Sequence, residues 1–434
     1  MRSLWQSQAD LPTFPQLTGE ISTDVLVIGG GMAGLLISYC LQQRGINVAL
    51  VEKDRLCGGT TAHTTAKITA QHGLVYHKIL RSYGFEHGEM YYRANADAVE
   101  KLKQLCRQAN SCLETKANFV YSADPKKLEK ELAALEKLGL SPRYENQLPV
   151  PVQAAGAVGL DNQGQFDPLA LAAFLAKGLR IIEHTKVQEM VGTTAITERG
   201  RIRAKNVVVA THFPFINKHG SYFLKLYQHR SYLLACKNVP PLPAMYVDDS
   251  HSGFSLSSFD DYLLLGGGGH RTGQAGGGYS QLRAFQKQNF PQAQECFHWG
   301  AQDTMSLDGI PYIGRYSKNT PHLFVAAGFN KWGMTGPMVS AQLLSAMIAG
   351  ESPDYAPVFS PSRSVLKPQL FVNGFETTKN LLRPAAPRCP HLGCALKYNP
   401  QEHSWDCACH GSRFREDGKM LDAPAVGDMK KGEK

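Results

Sequence analysis

The 434-residue chain is 43% hydrophobic and 19% charged, the balance of a globular protein and not of a disordered tract, and its length predicts two or three domains. Its formal net charge of +9 comes from scattered Lys and Arg with only short runs such as Lys126-Lys127 and Lys430-Lys431, so the basic stripe of a nucleic-acid binder is absent and no nucleic-acid partner is expected. Ten cysteines behind an N-terminus, Met1 to Gln6, that lacks a secretory pattern point to a cytoplasmic location and to metal or redox chemistry before structural disulfides.

Asp24 to Ile28 reads as a buried strand, Gly29-Gly30-Gly31-Met32-Ala33-Gly34 as a G-x-G-x-x-G turn, Leu35 to Gln43 as a helix and Val48 to Val51 as a second strand. In such a unit the first glycine permits the tight turn, the second lets backbone approach a pyrophosphate, and the third lets helix pack on strand. Glu52 ends the second strand, where an acidic side chain accepts hydrogen bonds from a ribose. The fingerprint does not separate NAD from FAD. Val25 to Gln43 is among the longest uncharged stretches, but the glycines interrupt it, and a membrane span needs about 20 predominantly apolar residues; no transmembrane segment is expected.

Further along, Glu86 to Ala109, Pro125 to Leu138 and Pro168 to Leu179 read as helices, the last with Asp167 as cap and Pro168 at its first position. Between Tyr222 and Gly269, Ser231 to Ala235 and Asp261 to Leu265 alternate as strands do, giving a substrate-side sheet. His229, Tyr232, His270 and Arg271 are its candidates for substrate contact, although such residues more often satisfy local hydrogen bonds. Gly266 to Gly269 lacks the Lys-Ser/Thr of a P-loop and reads as tight sheet geometry. Gly333-Met334-Thr335-Gly336 precedes an apolar helix, Met338 to Ile348, whose N-terminus favours negative charge; Lys331 adds positive charge there or is a solvated loop lysine. Lys331, His270 and Tyr232 are the candidate catalytic residues. From Gly350 on, Ser352-Pro353, Ala356-Pro357, Ser360-Pro361 and Lys367-Pro368 mark an extended linker, followed by one strand candidate, Gln369 to Val372.

The loop Cys57 to Lys67, the Trp299 to Gly314 segment with Asp308-Gly309-Ile310-Pro311-Tyr312-Ile313-Gly314, the strand Val207 to Thr211 and the stretch Leu323 to Met334 together resemble flavoproteins of the D-amino acid oxidase and glycine oxidase superfamily. The resemblance spans roughly 20–350. It implies an α/β (α+β), two-lobed architecture within 1–355: a Rossmann-type FAD-binding domain over 20–85, 160–215 and 300–350, and a substrate lobe with an antiparallel sheet over 86–159 and 216–299. It also implies FAD as cofactor, with Gly29, Gly31, Met32, Ala33, Gly34, Glu52, Lys53, Gly59, Thr60, Thr61, Val187, Ala210, Thr211, Gly328, Gly333, Met334 and Thr335 as its contacts, and a small amine or amino acid as substrate.

Near the C-terminus Cys389-Pro390-His391-Leu392-Gly393-Cys394 is answered by Cys407-Ala408-Cys409-His410-Gly411-Ser412. Two Cys and two His suit a 2Fe-2S cluster in which imidazoles replace two thiolates on one iron, and they also suit structural zinc, which needs neither the Gly-Ser nor the extra cysteines. The boxes match the C-x-H-x-G-C and C-x-C-H-G-S pattern of Rieske proteins, which this region, 369–434 after a linker at 356–368, therefore resembles. The resemblance implies Cys389 and Cys407 on one iron, His391 and His410 on the other, a Cys394–Cys409 disulfide, and a hydrogen bond from Ser412 to cluster sulfur. Phe414 stands where high-potential members carry tyrosine, so a lower potential is expected. The small all-β unit looks abbreviated at its base: either the flavin domain supplies the missing support or the cluster loops are held poorly.

The chain looks like a flavoprotein fused to a Rieske module, which implies hydride transfer from an amine or amino acid to flavin, with electrons passing through the cluster to an external acceptor. Two other readings stand beside it: a flavin oxidase that uses oxygen and carries a vestigial Rieske unit, and a redox-sensing or binding protein without turnover.

Overall fold

The computed structural model describes residues 2–216, 218–250, 253–384 and 387–429; the Lys430-Lys431 run lies outside them. The strand Gly19–Ile28 lies at the centre of the first sheet, parallel to Gly200–Val209 on one side and to Val48–Val51 on the other. Its Val25 to Ile28 run is buried throughout, as a parallel strand covered on both faces must be. Leu323–Ala327 and Arg180–Ile182 extend the sheet in parallel, Tyr312–Arg315 closes one edge antiparallel, and the hairpin Val187–Val191/Thr194–Thr197 joins Gly200–Val209. The helices Met32–Gln43 and Thr335–Ile348 share the main core, through residues such as Leu35, Leu36, Leu343 and Leu344.

A second sheet of nine strands runs Gln294–Ser306, Leu226–Lys237, Tyr262–Arg271, Ser255–Phe259, Ala244–Asp248, Glu114–Ser122, Gly156–Gln165 and Lys67–Ile68, with Arg143–Glu145 paired to Gly156–Gln165. It corresponds to the expected second-lobe sheet with two departures: Ala244–Asp248 pairs parallel to Glu114–Ser122, and Lys67–Ile68, most of Gly156–Gln165 and the end of Gln294–Ser306 come from ranges expected in the FAD-binding domain. The expected helices form at Phe85–Ala109, Pro125–Lys137 and Pro168–Leu175. Asp167 accepts hydrogen bonds from Leu169 and Ala170 N–H as the N-cap of the last.

Four antiparallel strands, Leu396–Asn399, Ser404–Cys407, Arg413–Arg415 and Met420–Asp422, make the C-terminal sheet. Two expectations fail on the way to it. Gln369 to Val372 is not a strand but part of the helix Pro368–Leu381: Pro368 suits a first helical turn, and no sheet edge is paired with it. The preceding linker is not free and extended either. Arg363, 8% exposed, pairs with the buried Asp308 at 2.8 Å, and Lys225 donates to the Pro361 carbonyl at 2.9 Å, so the proline-rich stretch is fastened to the larger unit.

Candidate active site

A cavity of about 1350 Å³ runs between the two large sheets, more than the 300–1,000 Å³ of an ordinary small-ligand pocket and enough for an extended dinucleotide with room beside it. Gly29, Gly31, Met32, Ala33, Glu52, Lys53, Gly59, Thr60, Thr61, Val187, Ala210, Thr211, Gly333 and Met334 all line it, while Gly34, Gly328 and Thr335 sit behind the lining. The turn has no space for side chains. A Cβ at Gly29, where φ is +113°, would stand 2.6 Å from the Ala210 carbonyl oxygen, and one at Gly34 would overlap the Gly29 carbonyl. Glu52 accepts from Gly30 N–H at 2.7 Å and Asp54 N–H at 2.9 Å; burial raises its carboxyl and these two bonds oppose the rise.

Lys67, His72, Lys331 and Trp332 also line the cavity. His72 and Trp332 rings stack at 5.0 Å. His72 bonds Tyr91 Oη at 2.7 Å and the Thr69 carbonyl at 2.9 Å, and burial pulls its ring down to about 3, so it is neutral. Lys331 has φ +72° beside Asn330 at +51°, a left-handed pair that costs energy in non-glycine residues and is concentrated at functional sites. Burial lowers the Lys331 ammonium and the Asp303 carboxylate opposes it. Lys331 is half-buried and lines the cavity, so it is not a fully solvated loop lysine. Lys67 is 8% exposed, and burial alone draws it down to about 8. Nothing in the local sequence distinguished Lys67, His72 or Asp303, because their setting is made by segments far apart in the chain.

The substrate-contact candidates divide. Tyr232 lines the cavity, but its hydroxyl meets His270 Nε2 at 3.1 Å and Asn399 Nδ2 of the C-terminal unit at 3.2 Å; His270 is not among the lining residues. Arg271 turns away altogether, donating to the carbonyls of Ala408 and Cys409 and to Asn373 Oδ1. His229 is buried within the sheet. This sheet face is the seat of the C-terminal unit.

The second cysteine box is buried from Cys407 to Ser412 against that seat. Gly273 has φ +76°, and a Cβ there would meet Ala408 N at 2.5 Å. Gln302 Nε2 donates to the Gly411 carbonyl at 2.9 Å, while the Gln302 carbonyl accepts from Thr60 Oγ1 at 3.2 Å, so one residue touches both the cavity loop and the cysteine box. Beside it a buried charge network closes the joint. Arg230 donates to both oxygens of Glu402, and Arg413 reaches Glu402, Asp406 and Asp422 at 3.1 Å each. Burial alone would depress Arg413, but the three carboxylates outweigh it and raise it. Of the two alternatives for the abbreviated base, the structure takes the first: the larger unit supplies the support.

Within the boxes, Cys394 and Cys409 are joined as a disulfide with Cα atoms 6.6 Å apart. Proximity alone also groups Cys394, Cys407 and Cys409 as metal donors, but the disulfide removes two of those three thiolates. Cys389 and Cys407 remain, side by side, the Cys389 thiol drawn down to about 7 chiefly by its bond with Cys407 and further by Ser412. The His391 and His410 rings meet edge to face at 4.9 Å. Burial holds His391 at about 4 and His410 at about 3, the neutral form a metal requires, and buried His410 Nδ1 has no hydrogen-bond partner among the described residues. Two thiolates and two imidazoles beside a bridging disulfide fit a Rieske cluster.

Residues 24–347 match the family described as FAD dependent oxidoreductase, and residues 362–432 match the Rieske [2Fe-2S] domain. The chain belongs to the FAD dependent oxidoreductases and carries a C-terminal Rieske domain. Its cofactors are FAD and a 2Fe-2S cluster. The chain is 32% identical, over 98% of its length and 96% of the relative's, to the Bacillus subtilis (strain 168) protein named as Rieske 2Fe-2S iron-sulfur protein YhfW. It is 22% identical to the gamma-glutamylputrescine oxidoreductase of Escherichia coli (strain K12) over 78% of this chain and 86% of that one. Glycine oxidase from Geobacillus kaustophilus shares the fold, with TM-score 0.67 at 19% identity over 79% of this chain and 99% of that one. Among the described residues no helix is long and apolar enough to cross a membrane.

Proposed function

We propose that this FAD-dependent oxidoreductase oxidises an amine or amino acid at the carbon bearing nitrogen and delivers the electrons, by way of the Rieske site, to an external acceptor. The observation that carries the reading is that both modules build one cavity: Glu402, Arg413, Asp422 and Val426 of the Rieske domain line it together with the glycine turn and Trp332. When bound, FAD supplies the hydride acceptor and the cluster a one-electron relay.

In this reading Gly29, Gly31, Ala33 and Thr61 receive the pyrophosphate, Glu52 the ribose and Val187 the adenine, while Cys389, Cys407, His391 and His410 hold the cluster. The chain's own work at the reacting end is to position and to exclude water. Trp332 and His72 make a flat, largely apolar wall. An amine donates hydride only when neutral, and Lys67 Nζ, which also lines the cavity and which burial keeps near half-neutral at about pH 8, is a group able to take the ammonium proton. Lys331, balanced by Asp303, sets the local charge at the start of the helix Thr335–Ile348.

The test is an anaerobic absorption spectrum with iron and acid-labile sulfide counted on the same sample, repeated with a panel of amines and amino acids. Two irons and two sulfides per flavin, with both chromophores bleaching on one of the substrates, is the expected result. A flavin that bleaches while the cluster does not would leave an oxidase; no bleaching with any amine would end the substrate assignment.

A further inference from the structure

The helix Pro368–Leu381 is turned inside out. Its amides face the protein: Asn373 and Asn380 are 4% and 1% exposed, Asn373 Oδ1 accepts from Arg271 Nη1 at 2.8 Å, and the Asn380 carbonyl accepts from Ala395 N–H at 3.0 Å. Its apolar side chains face outward, Phe371 71%, Val372 50% and Phe375 68% exposed, continued by Leu382 at 78%. Scattered apolar residues on a surface are ordinary, but a contiguous patch on one face marks an interaction site.

The patch adjoins the cluster loop that the flavin module leaves uncovered. Arg388 Nη1 donates to the Leu381 and Gly393 carbonyls, each at 3.1 Å, tying the helix end to the first box, where Leu392 is 44% exposed. The second box, with His410 2% exposed, is sealed against the flavin module. One side of the Rieske site thus faces inward and the other faces this patch. The patch is also rimmed with positive charge: Lys397 lies within electrostatic reach of Lys379 and Arg383, and Arg388 Nη2 donates to the Arg383 carbonyl at 2.7 Å. Lys397 sits below the ordinary lysine range through partial burial and the nearness of Arg383, with Glu376 opposing.

We infer that this face docks the external acceptor, a small one-electron redox protein with an apolar contact centre inside a ring of carboxylates. The inference rests on the reading that electrons leave through the Rieske site. In each encounter the partner's redox centre gains one electron, this protein's metal centre loses one, and no atom is transferred. Charge selects this occupant. In a two-fold pairing of the chain with itself the same basic rim would meet its own copy. A membrane-lying helix carries Lys and Arg along its polar face, whereas here that face holds neutral amides and points into the protein.

The experiment measures binding of the fully loaded, full-length protein to an acidic 2Fe-2S ferredoxin and to a basic c-type cytochrome, at low and physiological salt, as isolated and after dithionite reduction. Wild type is expected to bind the ferredoxin in a salt-sensitive way and to ignore the cytochrome. K379E/R383E should weaken ferredoxin binding about tenfold and flatten the salt dependence, and F371S/F375S should weaken it about tenfold with the salt dependence kept. Cluster EPR and ferricyanide reduction should be unchanged in both. Wild-type affinity in both variants, or no ferredoxin binding by wild type, overturns the inference. So does binding to phosphatidylglycerol vesicles that F371S/F375S abolishes, which would make the face a membrane contact, or a sedimenting dimer that the same variant dissociates. Because binding is scored separately from amine-driven bleaching, a failed substrate panel alongside normal ferredoxin binding would remove the substrate reading and leave the docking face standing.

Discussion

The two modules reach order by different routes. The FAD-binding module has a continuous core running from Leu4 to Phe359, and its glycine turn, the helix after it and Glu52 follow one another within a short stretch of sequence. The Rieske module has a core of a few side chains, Cys389, Cys394, Leu396, Cys407, Cys409, Phe414 and Ala425, too small to be stable unaided. It borrows rigidity from the sheet it sits on. The largest break in that dependence comes from Arg230→Met, which leaves Glu402 buried without its main partner. Removing one member of a buried pair costs about 3–5 kcal/mol, and the loss should appear as fast hydrogen exchange across 396–422 with the FAD module still protected. Arg143→Met is the contrast: its pairs with Glu145 and Asp161 are exposed, so a loss under about 1 kcal/mol is expected in urea melts. Equal effects from the two would mean the joint is not what holds the small module.

The second break lies inside the small module. Cys394 and Cys409 close a loop with a sequence separation of 15, for which the chain-entropy argument gives about 3 kcal/mol. C394S/C409S should therefore lower the Rieske transition in calorimetry and reduce iron occupancy, while FAD stoichiometry stays at that of wild type. If FAD binding falls as far as iron binding, the two modules fold as one unit and the contrast between them is wrong.

This difference also governs what the sequence makes legible. The glycine turn, Glu52 and the two cysteine boxes are local patterns whose spacing carries the chemistry, and they can be read before any fold is known. Arg271 looks like a substrate-lobe residue because its strand is in that lobe; that it serves the joint with the Rieske module depends on a contact between segments more than a hundred residues apart. Gln369 to Val372 reads as a strand because an apolar run suits a buried sheet, whereas here the run belongs to a helix whose apolar side is outward. Pattern arguments assume that apolar faces turn inward, and that assumption fails here, where Phe371 and Phe375 face outward.

The last test sharpens the comparison through buried cations. In the Rieske module Arg413 is matched by three carboxylates. In the FAD module Lys67 has no carboxylate or carbonyl bonded to its ammonium among the described residues, and burial alone brings it from 10.5 to about 8. Its folded value lies below its unfolded one, so below pH 8 both states are protonated and the fold carries the whole penalty. Between about pH 8 and 10.5 the unfolded chain binds more protons, and stability rises with pH. Lys67→Met should thus stabilise the FAD-free protein at pH 7 by roughly 3 kcal/mol, with the advantage fading as pH approaches 10.5. Taking the difference between variant and wild type cancels the other alkaline titrations. Added FAD, whose diphosphate brings negative charge into the cavity, should narrow the gap at pH 7. A gap that does not change with pH would mean that Lys67 is destabilising through its shape and not through its charge.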